Sequence, residues 1–341
     1  MKPQIEFRLF RTKLAGENGV ALIVVLWIFI FLFVVAFDFS TSVREEAAAA
    51  HRFSDETIGY YLAVAGFERG LYDFLNQQAG TGQQFQQDQK KSDLFDGSWR
   101  EESVGAGVSR VRLVDEGGKI NINRVNEETL RRVFTNLGID DVRRDILVDS
   151  IMDWRDADDL HRTNGAEDDY YASLSPPYTA KNGPLDSVEE LLWIRGVTHG
   201  LFFGYAEDKS QPMDNPRRVA LREIFTVDSP IDRVNLRTAP AEVIHALMGI
   251  PLEKCRTFVE ERKKLAEKTL ADLLPLLGIG AGDAALQMFI FTNPSVVAVE
   301  AEGRLEDSRL PRRVKGTVRL GGAQGFEMLR WLDRDIALPQ N

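Results

Sequence analysis

This 341-residue chain contains an acidic cluster made of the side chains that hard divalent cations prefer. Eight carboxylates lie within twenty-one residues, and only two arginines, Arg155 and Arg162, accompany them. The carboxylates belong to Asp149, Asp153, Asp156, Asp158, Asp159, Glu167, Asp168 and Asp169. Negative charges at this spacing repel one another unless solvent separates them or a cation neutralises them. The cluster therefore predicts either a calcium-binding loop or a solvated charged loop that holds no ion.

The rest of the sequence does not support a catalytic role for these carboxylates. The motifs HExxH and GxSxG do not occur, and the four histidines stand far apart in the sequence. Cys255 is the only cysteine, so an internal disulfide and a zinc site with paired thiolates are both impossible. We predict that Cys255 packs inside a helical region and that the chain is not an enzyme. The net charge of −10 also argues against a protein that binds nucleic-acid phosphates.

The N-terminal region contains a segment that can cross a membrane. From Val20 to Phe37 the chain has eighteen apolar residues without a polar interruption, or about 27 Å of helix. Four basic residues precede this segment, at Lys2, Arg8, Arg11 and Lys13. Because basic residues favour the cytoplasmic side, we predict a cytoplasmic N-terminus and an exported remainder. The alternative is a cleaved secretory signal, since Ala47 to Ala50 supply small residues, although they lie well beyond the apolar segment.

The helical pattern continues beyond the apolar segment to about Leu75. No proline interrupts it, and one apolar stripe is formed by Ile58, Tyr61, Leu62, Ala65 and Tyr72, so we expect this half of the helix to lie against a soluble domain. Gly19 separates the charged leader from the apolar segment. This arrangement resembles the N-terminal region of type IV pilins and of the pseudopilins of type II secretion systems. The resemblance implies that a prepilin peptidase cuts after Gly19 and that the new N-terminal residue, Val20, is methylated.

One position departs from the pattern of most pseudopilins. Most members carry a glutamate at the fifth residue after the cut, and its carboxylate pairs with the terminal ammonium of a neighbouring subunit. This chain has Val24 at that position. A buried ammonium without a counter-charge is costly, so a subunit that lacks the carboxylate suits the end of a filament. In this feature the chain resembles the general secretion pathway protein K family (GspK), which implies a place at the filament tip.

Alternating apolar and polar residues predict strands near both ends of the soluble part, with a mostly helical region between them. The predicted strands are Trp99 to Glu102, Val108 to Val114, Val296 to Glu302, Val314 to Leu320 and Phe326 to Trp331. We therefore predict an α+β pseudopilin fold with a long N-terminal transmembrane helix, a small antiparallel sheet and a large inserted α-helical domain. The predicted domains are a leader at 1–19, the N-terminal helix at 20–75, a β domain at 76–118 and 294–341, and the inserted domain at 119–293. A Gln- and Gly-rich stretch after Leu75 is expected to form a loop.

The predicted insertion contains a weak internal repeat. The segments INRVNEETL and VNLRTAPAEVI each precede a helix that reaches a glycine turn, at Gly138 and Gly249. Gly196 and Gly278 lie in similar sequences, and all four turns resemble the helix-hairpin-helix motif. Such a turn can bind a DNA phosphate through backbone N–H groups, or it can serve as a scaffold. The 22 basic and 29 acidic residues from 119 to 293 favour the scaffold.

The acidic cluster itself carries the strongest family resemblance. The run DWRDADDLHRTNGAEDDYYASLSPPY resembles the GspK signature, in which a Gly-Ala-Glu-Asp run and a Pro-Pro-Tyr segment surround a calcium-binding loop. The resemblance implies calcium as the cofactor, with Asp153 and Asn182 as additional candidates. The ligands that it implies first are Asp156, Asp158, Asp159, Glu167, Asp168 and Asp169.

The predicted function is that of a minor pseudopilin that caps the type II secretion pseudopilus and takes part in protein export across the outer membrane. The resemblance implies a single-pass protein of the inner membrane with a periplasmic bulk. The implied partners are the minor pseudopilins H, I and J, the major pseudopilin, the prepilin peptidase and the inner-membrane assembly platform, without nucleic acid. The alternative is an uncleaved single-pass membrane protein whose exported helix-hairpin-helix domain binds DNA or another ligand.

Overall fold

The computed structural model describes residues 18–78, 95, 97–205, 219–263, 270–280, 282–306, 308, 311–321 and 325–333. Leader residues 1–17 and positions 79–91 of the predicted loop lie outside these described residues. The helices are α1 Asn18–Gln78, α2 Glu127–Asn136, α3 Asp141–Arg155, α4 Asp168–Ala172, α5 His199–Phe203, α6 Leu221–Ile224, α7 Ala241–Met248, α8 Leu252–Arg262 and α9 Leu270–Leu273. The strands are β1 Arg100–Val104, β2 Gly107–Asp115, β3 Ile120–Asn121, β4 Phe225–Thr226, β5 Val234–Asn235, β6 Phe289–Ile290, β7 Val296–Leu305, β8 Arg312–Leu320 and β9 Phe326–Leu332.

The long N-terminal helix predicted from the sequence is confirmed as α1, which has 61 residues. Its apolar segment is long and apolar enough to cross a membrane. Every side chain from Val20 to Phe37 is exposed, as expected for a surface that faces lipid or partner helices. Gly19 and Val20 lie in the first turn of this helix.

The predicted strands near both ends of the soluble part are confirmed, and together they form one five-stranded antiparallel sheet in the order β1-β2-β7-β8-β9. Side chains alternate across the sheet, so Val111, Ala301 and Val314 lie on one face and in register with one another. That face packs against the part of α1 that includes Phe67 and Phe74, which are almost fully buried. A small hydrophobic core therefore lies between the helix and the sheet.

Glycine residues allow α1 to lie unusually close to the sheet. A Cβ atom at Gly303 of β7 would lie 2.3 Å from both the backbone N of Ala63 and the backbone O of Gly59. A Cβ atom at Gly66 of α1 would likewise lie 2.3 Å from Oγ of Ser109 on β2. Real Cβ atoms do not approach other atoms so closely, so no other side chain fits at these contacts without a shift of backbone or neighbour.

The prediction that the apolar stripe along this part of α1 packs against the soluble domain was wrong. Ile58, Tyr61, Ala65 and Tyr72 are exposed, and Leu62 is the only member of the stripe that is buried. The face that contacts the sheet combines glycine and alanine with a few large residues, because close backbone approach selects small side chains there. The apolar residues at helical spacing therefore mark a mostly exposed side of this helix.

We expect Gly303→Ala to lower the free energy of unfolding by about 3 kcal/mol, since the added methyl group collides with backbone atoms on α1. Urea-induced unfolding of the full chain in detergent measures this loss. Gly280→Ala is the matched control, because a Cβ atom there has no neighbour within 4 Å. Equal stability of the two variants would show that the helix and sheet are farther apart than described.

The sheet face opposite α1, here called the outer face, carries two ion triplets across β2, β7 and β8. In the first, Glu302 of β7 lies between Arg110 and Arg313, which are its register partners on the neighbouring strands. Arg110 Nε is 2.5 Å from Glu302 Oε2, and Arg313 Nε is 2.6 Å from Glu302 Oε1. Each carboxylate oxygen therefore has its own cation, which satisfies a carboxylate that is only 3% exposed.

The second ion triplet has Glu300 between Arg112 and Lys315. Arg112 Nε is 2.7 Å from Glu300 Oε2, and Lys315 Nζ is 3.4 Å from Glu300 Oε1. Burial by itself would raise the pKa of Glu300, but the charges of Lys315, Arg112 and Lys119 lower the pKa to about 2. Folding therefore favours the charged form of this carboxylate.

We expect the contribution of Glu300 to stability to depend on pH. Because its pKa falls from 4.5 to about 2 on folding, its charge contributes about 3 kcal/mol above pH 4.5, and this is lost as the pH falls toward 2. Glu300→Gln should therefore destabilise the full chain at neutral pH and much less at about pH 2.5. Unfolding free energies at both pH values test this, with Glu128→Gln on the exposed surface of α2 as the control. A pH-independent difference would contradict it.

The region from Ile120 to Phe289 has its own, larger hydrophobic core. It consists mainly of α2–α9 and short 3-10 helices at Val188–Trp193, Leu274–Leu277 and Ala284–Met288. Cys255 is fully buried there, and burial raises its thiol pKa to about 11. The end of β2 is joined to this region by Asp115, whose buried carboxylate accepts hydrogen bonds from Thr238 Oγ1 at 2.6 Å and Asn235 Nδ2 at 2.8 Å.

The weak internal repeat is confirmed as two similar structural units. In the first unit, β3 is followed by α2, a turn at Gly138 and α3, and β3 pairs in parallel with β4. In the second unit, β5 is followed by α7, a turn at Gly249 and α8, and β5 pairs in parallel with β6. Both glycines have positive φ, 75° and 69°, as required by a left-handed turn. Asn121 and Asn235 are equivalent, and each donates a side-chain hydrogen bond to a backbone carbonyl beyond its unit's parallel strand.

Candidate functional site

The acidic loop, residues 156–167, joins the end of α3 to the beginning of α4. Asp156 is the C-cap of α3 and Glu167 is the N-cap of α4, so the two helix ends set the positions of both carboxylates. Asp153, in the last turn of α3, is fully buried. The loop therefore brings charged side chains to the edge of a hydrophobic core, where solvent screens them poorly.

Arg162 and Gly165 fold the loop around Asp153. The backbone N of Arg162 donates a hydrogen bond to Asp153 Oδ2 at 3.2 Å, and its Nε forms an ion pair with Asp153 Oδ1 at 3.3 Å. A Cβ atom at position 165 would lie 1.8 Å from Asp153 Oδ2, so the close approach requires glycine. Asp153 is thus already held by protein groups that organise the loop.

Asp149 has a structural role of the same kind. Its Oδ2 accepts hydrogen bonds from the backbone N and the side-chain Nδ2 of Asn164, both at 3.1 Å. Its Oδ1 lies 3.2 Å from Nη2 of Arg131. This carboxylate is therefore neutralised and fully used, and it holds the loop against α3.

Three residues at the loop have buried oxygens without a hydrogen-bond partner among the described residues. These oxygens are both Oε atoms of Glu167, Oδ1 of Asp156 and Oδ1 of Asn182. Glu167 is only 2% exposed, so water does not replace the missing partners along most of its surface. Buried acceptors without a donor are costly, so these oxygens need a hydrogen-bond donor or a cation as a partner.

Electrostatic effects at Glu167 indicate the same need. Burial, followed by the negative charges of Asp153 and Asp156, raises the pKa of Glu167 to about 7. Burial is also the main cause of the raised pKa values of Asp153 and Asp156. A bound cation would offset this repulsion and favour the charged form of each carboxylate.

Asn182 joins the loop from outside it. Its backbone has a φ of 48°, in the left-handed region that asparagine tolerates better than most residues. Its Nδ2 donates a hydrogen bond to Asp159 Oδ1 at 2.7 Å, which leaves its Oδ1 available beside the acidic residues. The Asn-Gly pair at 182–183 is the sequence signal for this turn.

The other predicted ligands are exposed and already take part in hydrogen bonds or ion pairs. Asp158 Oδ1 accepts from the backbone N of Leu160 at 2.9 Å, and Asp168 Oδ1 accepts from the backbone N of Ala180 at 2.7 Å. Asp169 Oδ1 lies 2.8 Å from Nε2 of His161. In the part of the chain that the structure describes, no three Asp, Glu, His or Cys side chains are grouped tightly enough to hold a metal ion.

Comparisons with known proteins place the acidic loop within a recognised family domain. Residues 111–203 match the family described as Type II secretion system (T2SS), protein K. The type II secretion system protein K of Klebsiella pneumoniae is 26% identical over 210 residues, which cover 54% of this chain and 60% of the relative. The protein K of Aeromonas hydrophila is 38% identical over 76 residues, 22% of this chain and 23% of the relative. The chain thus aligns with less than two thirds of the length of these relatives.

The fold is also similar to a solved structure, the crystal structure of the GspK-GspI-GspJ complex from the enterotoxigenic Escherichia coli type 2 secretion system. The superposition covers 86% of this chain and 98% of the matched chain, with a TM-score of 0.51 and 15% sequence identity. At this identity the similarity concerns the fold, and it supports the predicted mixed helix and sheet architecture. The predicted resemblance to the GspK family is therefore confirmed: residues 111–203 match the protein K family, and relatives named type II secretion system protein K are similar over about half of this chain.

Proposed function

We propose that this chain is a minor pseudopilin of a type II secretion system and takes part in protein export. The observation that carries this proposal is the protein K domain at residues 111–203, in a chain whose first described helix is apolar and long enough to span a membrane. Relatives with this domain are named as components of type II secretion systems. With a hydrophobic helix and packed domains, the protein acts by assembly, and no catalytic step is part of the proposal.

The chain is made as a single-pass inner-membrane protein with its N-terminus in the cytoplasm and its bulk in the periplasm. Basic residues ahead of the apolar segment favour this orientation. A prepilin peptidase then removes residues 1–19 and methylates Val20. Mass spectrometry of the membrane-extracted protein tests this: an N-methylated Val20 start supports the proposal, and an intact Met1 start supports an uncleaved membrane protein.

The subunit is placed at the tip of the pseudopilus. Val24 supplies no carboxylate for the terminal ammonium of another subunit, so an internal position would leave a buried charge unpaired. The helical region from Ile120 to Phe289 would also obstruct a subunit above it while permitting subunits below. Antibodies against this region should label purified pseudopili at one end, and labelling along their length would contradict the assignment.

The proposed partners are the minor pseudopilins of types H, I and J, the major pseudopilin, the prepilin peptidase and the assembly platform. The solved complex with a similar fold contains GspI and GspJ beside GspK, which supports these two partners first. The exposed apolar part of α1 gives this chain a surface that the helices of partner subunits can contact. Co-purification of the tagged chain with its type I and J pseudopilins tests the assembly, with a major pseudopilin as the comparison.

We also propose that the acidic loop binds calcium. The residues fit the ion, because Glu167, Asp156 and Asn182 offer buried oxygens that have no protein donor, and calcium prefers oxygen ligands. The exposed carboxylates at Asp158, Asp159, Asp168 and Asp169 are the other candidate ligands, and they would have to move toward these oxygens on binding, since the described side chains do not form a tight group. When bound, the ion neutralises the loop and links the end of α3 to the beginning of α4. These residues would then hold the helical region in one shape for assembly.

A further inference from the structure

The outer face of the five-stranded sheet contains a cavity of about 250 Å³ that is separate from the acidic loop. The two ion triplets line it, and Trp99 forms part of its wall. The guanidinium carbons of Arg110 and Arg112 lie 4.8 and 4.7 Å from the Trp99 ring centre. One tryptophan therefore fixes two neighbouring arginines by cation–π contacts.

The cavity has an excess of positive charge. Four cationic side chains lie around it, while Glu300 and Glu302 are the two carboxylates in its lining. Both carboxylates are largely buried, at 15% and 3% exposure, and each is already paired on both sides. A surplus of positive charge is unusual in a chain whose net charge is −10. It gives this cavity the opposite charge to that of the chain as a whole.

The arginines have N–H donors that their glutamates do not use and that could bind a further anion. Arg110 and Arg112 use Nε and Nη2 for their glutamates, and no contact within the described residues engages their Nη1 groups. Arg313 contacts Glu302 through its Nε. These side chains are 27–39% exposed, so a ligand can reach them from solvent. Guanidinium groups held rigidly in this way are well suited to bind carboxylates with two hydrogen bonds.

We propose that this cavity is a docking site for an acidic segment of a partner protein, whose Asp or Glu side chains pair with Arg110, Arg112 and Arg313. Charge complementarity selects the segment, and Trp99 contacts its apolar parts. Arg110 and Arg112 lie two residues apart on the same face of β2, about 7 Å from each other, which matches the spacing of alternate side chains in an extended chain. The site is independent of the acidic loop and of the place of the subunit in a filament.

The test uses the full chain in detergent and a fluorescent hexaglutamate peptide, with hexaglutamine of equal length as the comparison. Fluorescence anisotropy should show binding of hexaglutamate that is at least about tenfold tighter than binding of hexaglutamine and that weakens as salt is added. Arg112→Gln and Arg313→Gln should each weaken binding about fivefold to tenfold, since each removes one cation and leaves its glutamate paired with the other.

Arg319→Gln is the matched control, because Arg319 lies on the same strand as Arg313 but does not line the cavity. It should leave hexaglutamate binding within about twofold of the original chain. Equal losses in all three variants, or no preference for hexaglutamate in the unmodified chain, would overturn the proposal. Displacement of the peptide by inorganic phosphate at the same concentration would also overturn it, since the site would then accept small anions.

Discussion

Gly19→Val is expected to leave the chain uncleaved and to stop type II secretion in cells that depend on it. The proposed peptidase cuts directly after Gly19, and a branched side chain at that position obstructs the approach of the peptide bond to a protease site. The leader then stays attached to the apolar helix, so its charged residues would have to enter the apolar interior of the filament. Mass spectrometry of the membrane protein and the extracellular fraction of a secreted enzyme measure both effects.

Gly16→Val is the control for this prediction, because it adds the same side chain to the leader without changing the residue before the cut. Its product should begin at Val20 and should restore secretion to a strain that lacks the original protein. If Gly19→Val supports normal secretion, this chain does not work as a processed pseudopilin. If it is cleaved normally but fails to assemble, the cleavage position is wrong.

Calcium is expected to raise the thermal stability of the full chain, and removal of the Glu167 charge should abolish this effect. An ion present at about 100 times its dissociation constant adds about 2.7 kcal/mol to the stability of the state that binds it. For a chain of this size we expect the melting temperature to rise by about 5 °C or more. Differential scanning fluorimetry with a chelator and then with millimolar calcium measures the shift.

The variant Glu167→Gln tests whether Glu167 is a metal ligand or a carboxylate with a purely structural role. Without calcium the variant should be at least as stable as the original chain, because both oxygens of Glu167 are buried without a donor. With calcium the original chain should become the more stable of the two. Glu253→Gln, on the exposed surface of α8, should keep the full calcium effect. No shift in the original chain, or an unchanged shift in Glu167→Gln, would remove the calcium proposal.

Several elements of the fold were predictable because their signals are local. The apolar run after Gly19 is long and uninterrupted, and it forms a helix as expected. Strands β2, β7 and β8 each contain a stretch in which apolar and polar residues alternate, such as VRL at 111–113 and VEAE at 299–302, and such a stretch indicates a strand with one buried face. The glycine turns at Gly138 and Gly249 were also visible, since left-handed backbone favours glycine.

Other features depend on contacts between distant residues, and sequence patterns do not contain them. The face of α1 that contacts the sheet was predicted wrongly because glycines 59, 66 and 70 select it by size, not by hydrophobicity. Equivalent arginines in the two repeats, Arg155 and Arg262, donate hydrogen bonds to the carbonyls of Val125 and Ala239. In the sequence they look like ordinary charged residues at helix ends, since only folding brings the carbonyls to them.

The sequence by itself determined the membrane-length helix, the mixed composition of helix and strand, and the concentration of negative charge between α3 and α4, since each follows from neighbouring residues. Only the tertiary structure decided which of those carboxylates are neutralised. Asp149 and Asp153 are held by Arg131, Asn164 and Arg162, whereas Glu167 is buried without a donor. The same aspartate or glutamate is a structural acceptor or a free ligand according to the partners that folding places beside it, because desolvation and pairing act over a few ångströms in space.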